Sequence, residues 1–194
     1  MPRQILLIRH CQSQANADGR LEGKGDSPLS EVGCQQAKRV AAFVASQDIG
    51  PAMLIASPLS RARATAHEIA ALCGWTPSHD PRVREAEFGW MEDMSYADVR
   101  QHMVEHQLTV LDEAVHGGES LGTIAARCWE ALSEMLAVTD GPLIAVTHGY
   151  AIHALVEHRF GHALGVAQIG NGDVIEVWLD GDSVTVPPTR YPLG

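Results

Sequence analysis

At 194 residues the chain is long enough for one well-buried core and short for two, and its 45% hydrophobic and 20% charged residues are ordinary globular composition. A formal net charge of -10 argues against a nucleic-acid partner or an anionic membrane surface, because either requires clustered Lys and Arg. The only continuous apolar stretch near the start, Ile5 to Ile8, is too short for a leader or a membrane span, so a cytoplasmic location is expected, and four cysteines without a C-x-x-C pair suggest neither a zinc framework nor a disulfide scaffold.

The first predicted element is a buried strand over Ile5-Leu6-Leu7-Ile8, closed by Arg9-His10. A loop rich in Gly, Asp and Ser runs to Ser30, after which Ala37, Val40, Ala41 and Val44 recur at helical spacing. Met53-Leu54-Ile55-Ala56 reads as a second strand broken by Ser57-Pro58, and Ala62, Ala66, Ile69, Ala70 and Cys73 form the stripe of a second helix. Residues 89 to about 118 are polar, Met-rich and weakly periodic, which reads as an inserted cap; Leu121, Ile124, Ala125, Cys128, Leu132 and Met135 mark a long amphipathic helix beyond it. Leu143 to Thr147 is an equivalent buried strand, ending at His148, and Ile152, Leu155 and Val156 continue as a helix. Val174 to Trp178 pairs with Val184 to Val186 across Asp180-Gly181, a strong hairpin signal. Strands alternating with helices before an antiparallel edge predict an α/β fold: one domain over 1–194, a three-layer α/β/α sandwich with a mostly parallel mixed sheet.

Two buried strands thus deliver His10 and His148 to the crevice at their C-terminal ends, where open α/β sheets bind ligands. In so acidic a chain, Arg9 beside His10 is more informative than it would be in a basic one. Arg9-His10-Cys11-Gln12-Ser13-Gln14-Ala15-Asn16, Gly25-Asp26-Ser27-Pro28-Leu29-Ser30-Glu31-Val32-Gly33, Ser57-Pro58-Leu59-Ser60-Arg61-Ala62-Arg63-Ala64-Thr65-Ala66 and Val146-Thr147-His148-Gly149 occur in that order, with Gly118-Glu119-Ser120 also fitting. This set resembles the histidine phosphatase superfamily, the phosphoglycerate-mutase-like proteins, from the first strand to at least His148.

The resemblance implies the same fold and a metal-independent phosphomonoesterase that hydrolyses a small phosphorylated metabolite without a cofactor. By position His10 is the nucleophile that becomes phosphohistidine, Arg9 and Arg61 are the phosphate clamp, and His148 donates to the phosphoryl oxygens. Arg84-Glu85-Ala86-Glu87-Phe88-Gly89 matches the stretch that supplies the proton donor, and register against Gly89 selects Glu85 over Glu87. Asn16 matches an amide donor to phosphate. Arg63, two positions from Arg61 on a helix, points elsewhere.

Three departures stand out. Cys11 replaces the usual Gly, which puts a thiol beside an electropositive pocket where it could become acidic and oxidisable. Glu22 stands where Gln is common, changing a substrate-facing charge, and Trp90-Met91-Glu92-Asp93 varies on Trp-Glu-Gly. A cofactor-dependent phosphoglycerate mutase would use the same phosphohistidine. A chain of 194 residues with a Met-rich cap looks too open to exclude water, which favours the phosphatase. A catalytically silent phosphate-binding module is the third alternative. His102-Met103-Val104-Glu105-His106 spells H-x-x-E-H but lacks an identifiable third ligand, so no metal is expected. Met91, Met94, Tyr96, Met103 and Leu108 would give the cap an apolar lining, and a homodimer remains open.

Overall fold

A computed structural model describes residues 2–106 and 117–194. Six strands form one mixed sheet: β1 (Arg3–Arg9), β2 (Met53–Ala56), β3 (Ser78–His79), β4 (Leu143–Thr147), β5 (Val174–Asp180) and β6 (Ser183–Tyr191), in the spatial order β3-β2-β4-β1-β5-β6. The first four are parallel to one another, and β5 and β6 add an antiparallel edge.

The apolar runs are buried on both faces because helices cover both. Leu6, Ile8, Leu54, Ala56, Ile144 and Val146 pack with α2 (Glu31–Ser46) and α3 (Ser60–Cys73) on one side. Their alternate neighbours Ile5, Leu7, Ile55, Leu143 and Ala145 pack with α5 (Leu121–Ala137) and α6 (Gly149–Ala154) on the other. This is the α/β/α architecture expected from the strand and helix alternation. A short α1 (Gln14–Ala17) follows β1, and α4 (Tyr96–Glu105) lies within the predicted cap. Among the described residues no helix is long and apolar enough to cross a membrane.

The hairpin differs from expectation by one position. Asp180 pairs with Ser183, so the turn is Gly181-Asp182, with Gly181 at φ +57°. A left-handed first turn residue suits a tight hairpin, and Gly adopts it without a Cβ penalty. Pro187 and Pro188 lie within β6 where the β5–β6 register shifts, which an edge strand tolerates.

The loop after β1 is fastened to α2. Ser30 caps the helix by accepting from the Gly33 amide at 3.0 Å, and its own hydroxyl donates to Gln12 Oε1 at 2.7 Å. A Cβ at Gly33 would stand 2.0 Å from the Gln12 carbonyl oxygen, so only glycine lets the first turn of α2 rest against the residue two places beyond His10.

Candidate active site

β1 and β4 are hydrogen-bonded neighbours with Arg9 opposite Thr147, and the His10 amide extends the ladder by donating to the Thr147 carbonyl at 2.8 Å. Parallel pairing therefore ends the two strands side by side, and the imidazoles of His10 and His148 meet with ring centroids 4.9 Å apart. On the far side of β1, the loop before β5 binds the same backbone: Arg9 N donates to Asp173 O, and Gly172 N lies 3.1 and 3.2 Å from Arg9 O and His10 O.

His10 Nδ1 lies 2.8 Å from the Cys11 carbonyl oxygen. A carbonyl can only accept, so Nδ1 carries the proton and Nε2 keeps its lone pair. Burial, then the charges of Arg61 and Arg9, hold His10 well below its usual pKa, and His148 is lowered by burial and then by Arg61, His10 and Arg9. Both rings are neutral at pH 7.

Arg9 and Arg61 differ in what they hold. Arg9 spends one terminal nitrogen on the Ile169 carbonyl at 2.5 Å. The fully buried Arg61 turns its fork onto the loop before α2, donating to Gly25 O at 2.7 Å and Gly23 O at 2.9 Å, with Glu22 Oε1 at 3.4 Å. Asp26 ties the same loop to α3 by accepting from the Ser60 amide and hydroxyl at 2.6 and 2.8 Å. A bidentate Arg61 clamp is therefore not the geometry present: Arg61 braces a loop and keeps only Nε unpaired. Arg63 is exposed.

Glu22 is buried, accepting from Ser13 Oγ at 2.8 Å and the Ser27 amide at 2.7 Å besides facing Arg61. It is thus the counter-charge of Arg61 as well as part of the cavity wall. Glu92, in the variant Trp-Met-Glu-Asp stretch, accepts from the amides of Gly23 and Phe88 and so ties the same loop to the cap.

Glu85 is buried on a loop anchored from two sides. Thr147 Oγ1 donates to Val83 O at 2.7 Å, and Arg127 of α5 donates to the carbonyls of Arg82, Arg84 and Glu85 at 2.7, 2.8 and 2.9 Å. Burial raises the Glu85 pKa above its usual value, against the opposing pull of the Ala86 amide and of Arg9 and Arg61. Glu87 instead pairs with Arg84 at 2.8 Å, with its side chain 45% exposed.

Arg127 also forms a paired fork with Glu119, both bonds at 2.8 Å, with side chains 11% and 12% exposed. Burial alone would raise the Glu119 carboxyl, but the Arg127 bonds and charge outweigh it and hold it below its usual value. Arg127→Met leaves that carboxylate only the Glu87 amide at 3.1 Å and Arg84 at 3.6 Å, and breaking a mostly buried pair costs about 3–5 kcal/mol. The expected loss at pH 7 in urea unfolding is about 3 kcal/mol. A carboxylate depressed in the folded state contributes stability that is complete above its unfolded pKa, about 4.3, and lost as pH falls through the folded value. The gap between wild type and variant should therefore narrow at pH 3; a neutral-pH loss below about 1 kcal/mol would show that the fork does not hold this loop.

Arg9, His10, Asn16, Glu22 and Glu85 open onto one cavity of about 560 Å³, walled by Leu21, Phe88, Tyr96, Val99, Arg100, Met103, Tyr150 and Val166. Asn16 Oδ1 accepts from the Ser13 amide, closing a capping box, and from Asn171 Nδ2 at 2.9 Å, while its Nδ2 donates to Tyr96 Oη at 3.1 Å. Tyr96, Val99, Arg100 and Met103 sit at i, i+3, i+4 and i+7 of α4, so one helix face forms the wall. Of the apolar cap residues expected there, Tyr96 and Met103 line the cavity; Met91 is buried in the core, Met94 packs on that core, and Leu108 lies outside the described residues. Asn171, Tyr150 and Arg100 were missed by sequence reasoning. The Gly-Asn-Gly-Asp turn and the helical spacing around Arg100 were the signals available.

Cys11 corrects an expectation. Its side chain is buried in the core beneath α2, and burial pushes the thiol up to about 12 rather than making it acidic. His102 and His106 stack on each other at 4.3 Å, with Trp90 against His102 at 4.6 Å. Among the described residues no group of three or more His, Cys, Asp or Glu is placed to share a metal ion.

Residues 5–186 match the family model of the histidine phosphatase superfamily (branch 1). The chain belongs to this superfamily. Members of this histidine phosphatase superfamily are enzymes, phosphatases or mutases. Its curated relatives include probable phosphoglycerate mutases GpmB of Photorhabdus laumondii, 38% identical over 159 residues (79% of this chain, 73% of the relative), and of Enterobacter sp. strain 638, 35% identical over 164 residues (81% and 75%). Among solved superfamily structures, mycobacterial glucosyl-3-phosphoglycerate phosphatase is 26% identical with a TM-score of 0.79, covering 98% of this chain and 97% of that one. Bacillus anthracis phosphoglycerate mutase, 20% identical with a TM-score of 0.80 over 97% and 92% of the two chains, shows the fold alone.

Proposed function

We propose that the protein is a phosphomonoesterase that works through a phosphohistidine on His10. The observation that carries this reading is a set of four buried side-chain nitrogens without hydrogen-bond partners, Arg9 Nε, Arg61 Nε and both ring nitrogens of His148, on the three residues whose ring or charge bears on His10, an imidazole whose Nε2 is free. Burying polar nitrogens without partners is costly, and a phosphoryl dianion, with three equatorial oxygens to be held, is a ligand that would answer that cost.

His10 Nε2 attacks phosphorus in line, the P–O bond to the alcohol breaks, and the Glu85 carboxylic acid delivers the proton to the leaving oxygen. Water then attacks phosphorus while the Glu85 carboxylate takes its proton, and the phosphorus–nitrogen bond breaks, which returns free His10 and inorganic phosphate. Arg9, Arg61, His148 and the second amide hydrogen of Asn16 supply the donors for the oxygens, with no metal assigned a role. With Arg61 paired to Glu22, Arg9 is the positive charge of the floor that no carboxylate pairs among the described residues.

The mutase reading is favoured by the names of the curated relatives. It would return the phosphoryl group to a second hydroxyl of the substrate instead of to water. The apolar wall of Leu21, Phe88, Val99, Met103 and Val166 suits a bulkier organic portion than a small, highly charged acid. Purified protein given 3-phosphoglycerate with 2,3-bisphosphoglycerate, and separately an aryl phosphate, should release inorganic phosphate and form little 2-phosphoglycerate, with EDTA making no difference. Efficient isomerisation without phosphate release would reverse the assignment, and loss of activity in EDTA would overturn the metal-independent mechanism.

A further inference from the structure

The chain has twelve arginines. Ten of them make hydrogen bonds or ion pairs, while Arg63 and Arg100 make none among the described residues. Arg63 is exposed away from the floor of the site. Arg100 lines the same cavity as Arg9 and His10, on the α4 face shared with Tyr96, Val99 and Met103. Two carboxylates of α4 are engaged locally: Asp98 accepts from Ser95 Oγ at 2.7 Å and Glu105 from Gln101 at 2.7 Å. An uncommitted guanidinium thus stands on an otherwise apolar wall, in a chain of net charge -10.

The cavity, about 560 Å³, falls in the range that holds a drug-sized molecule and exceeds what a phosphoryl group fills. We propose that the substrate is a phosphomonoester with a second anionic group, separated from the phosphate by an apolar or aromatic segment, and that Arg100 receives that group. The planar fork of Arg matches a carboxylate or a second phosphate with two parallel N–H bonds, while Phe88, Val99, Met103 and Val166 cover the segment between. The inference rests on the phosphomonoester reading above and assigns Arg100 a part in choosing the substrate, not in the chemistry.

The test uses the phosphate ester of 3-(4-hydroxyphenyl)propanoic acid and that of its carboxamide, whose leaving groups are alike, with 1,4-phenylene bisphosphate to distinguish a carboxylate from a second phosphate. Their non-hydrolysable phosphonate counterparts are titrated calorimetrically in parallel. Wild type should bind the acid phosphonate about tenfold more tightly than the amide, show a similar ratio in kcat/KM, and lose the preference in Arg100→Gln, because a charge-assisted fork is worth about a factor of ten or more. Equal binding of acid and amide by wild type, or a preference that survives Arg100→Gln, overturns the proposal. A preference in phosphonate binding without phosphate release from either ester leaves the Arg100 assignment standing and removes the phosphatase reading instead.

Discussion

His10→Ala is expected to abolish turnover, by roughly 10⁴- to 10⁶-fold as for removal of other covalent nucleophiles, and to abolish covalent labelling with it. The reason is geometric. Nδ1 is held by the Cys11 carbonyl, so Nε2 is the one nitrogen with a lone pair to offer, and burial beside Arg61 and Arg9 keeps it unprotonated. Neither neighbouring candidate replaces it: His148 is assigned to hold the phosphoryl oxygens, with both ring nitrogens buried beside His10, and Cys11 faces the core with its thiol pushed up to about 12. Protein mixed with ³²P-labelled substrate and quenched in alkali, which preserves phosphohistidine, should carry label in wild type and none in the variant. Far-ultraviolet circular dichroism checks that the fold is retained. Undiminished labelling of the variant removes His10 from the mechanism.

Glu85→Gln should lower kcat/KM for alkyl phosphates by about 10²- to 10⁴-fold and much less for a nitrophenyl phosphate, whose leaving group departs without a proton. Phosphohistidine should also become easier to trap, because the attacking water has lost its base. The pH profile follows from the two shifts. Glu85 acts as an acid while protonated, so activity falls as pH rises through its raised pKa; His10 acts while neutral, so activity falls as pH drops through its lowered one. The profile for alkyl esters is therefore a bell whose alkaline limb belongs to Glu85 and whose acid limb belongs to His10. Dividing the wild-type profile by that of the variant cancels substrate ionisation, and the quotient should decline with rising pH. Glu87→Gln is the control, since that carboxylate is exposed against Arg84. Equal losses for both ester types, or a larger loss at Glu87, would show that another group supplies the proton.

The sheet and its helices were legible because the signals are local. Short apolar runs such as Ile5 to Ile8 and Leu143 to Val146, bounded by turn residues, suit strands covered on both faces, and the stripes of α2, α3 and α5 repeat at helical spacing. Strand ends carry the site, so His10 and His148 followed directly. What side chains do at a distance was not legible. Arg61 looks like a second clamp in sequence, yet its fork is consumed by loop carbonyls and Glu22, residues 36 to 39 positions away. A cysteine two places from Arg9 looks acidic until the chain just past β1 is seen to bury its thiol in the core under α2. Asn171 lies 161 positions from the His10 carbonyl it binds, a pairing that depends on β5 running antiparallel beside β1. Arg100 fell in a segment whose weak periodicity concealed a helix with one cavity-facing side.

That segment and the floor of the site belong to parts of the molecule with different tolerances. β1 is hydrogen-bonded on both edges and covered on both faces, so its amides should exchange with solvent only when the whole domain opens. α4 has no buried residue; it is joined to the rest by the Tyr96–Gly19 and Asn16–Tyr96 hydrogen bonds, the Trp90–His102 ring contact and the packing of Val99 and Met103 on the core. Mutational drift can therefore rewrite the wall, residue by residue along one helical face, while the nucleophile stays on the part of the chain that selection for folding already protects. In such a protein the choice of substrate evolves on the periphery, and the reaction is inherited with the core.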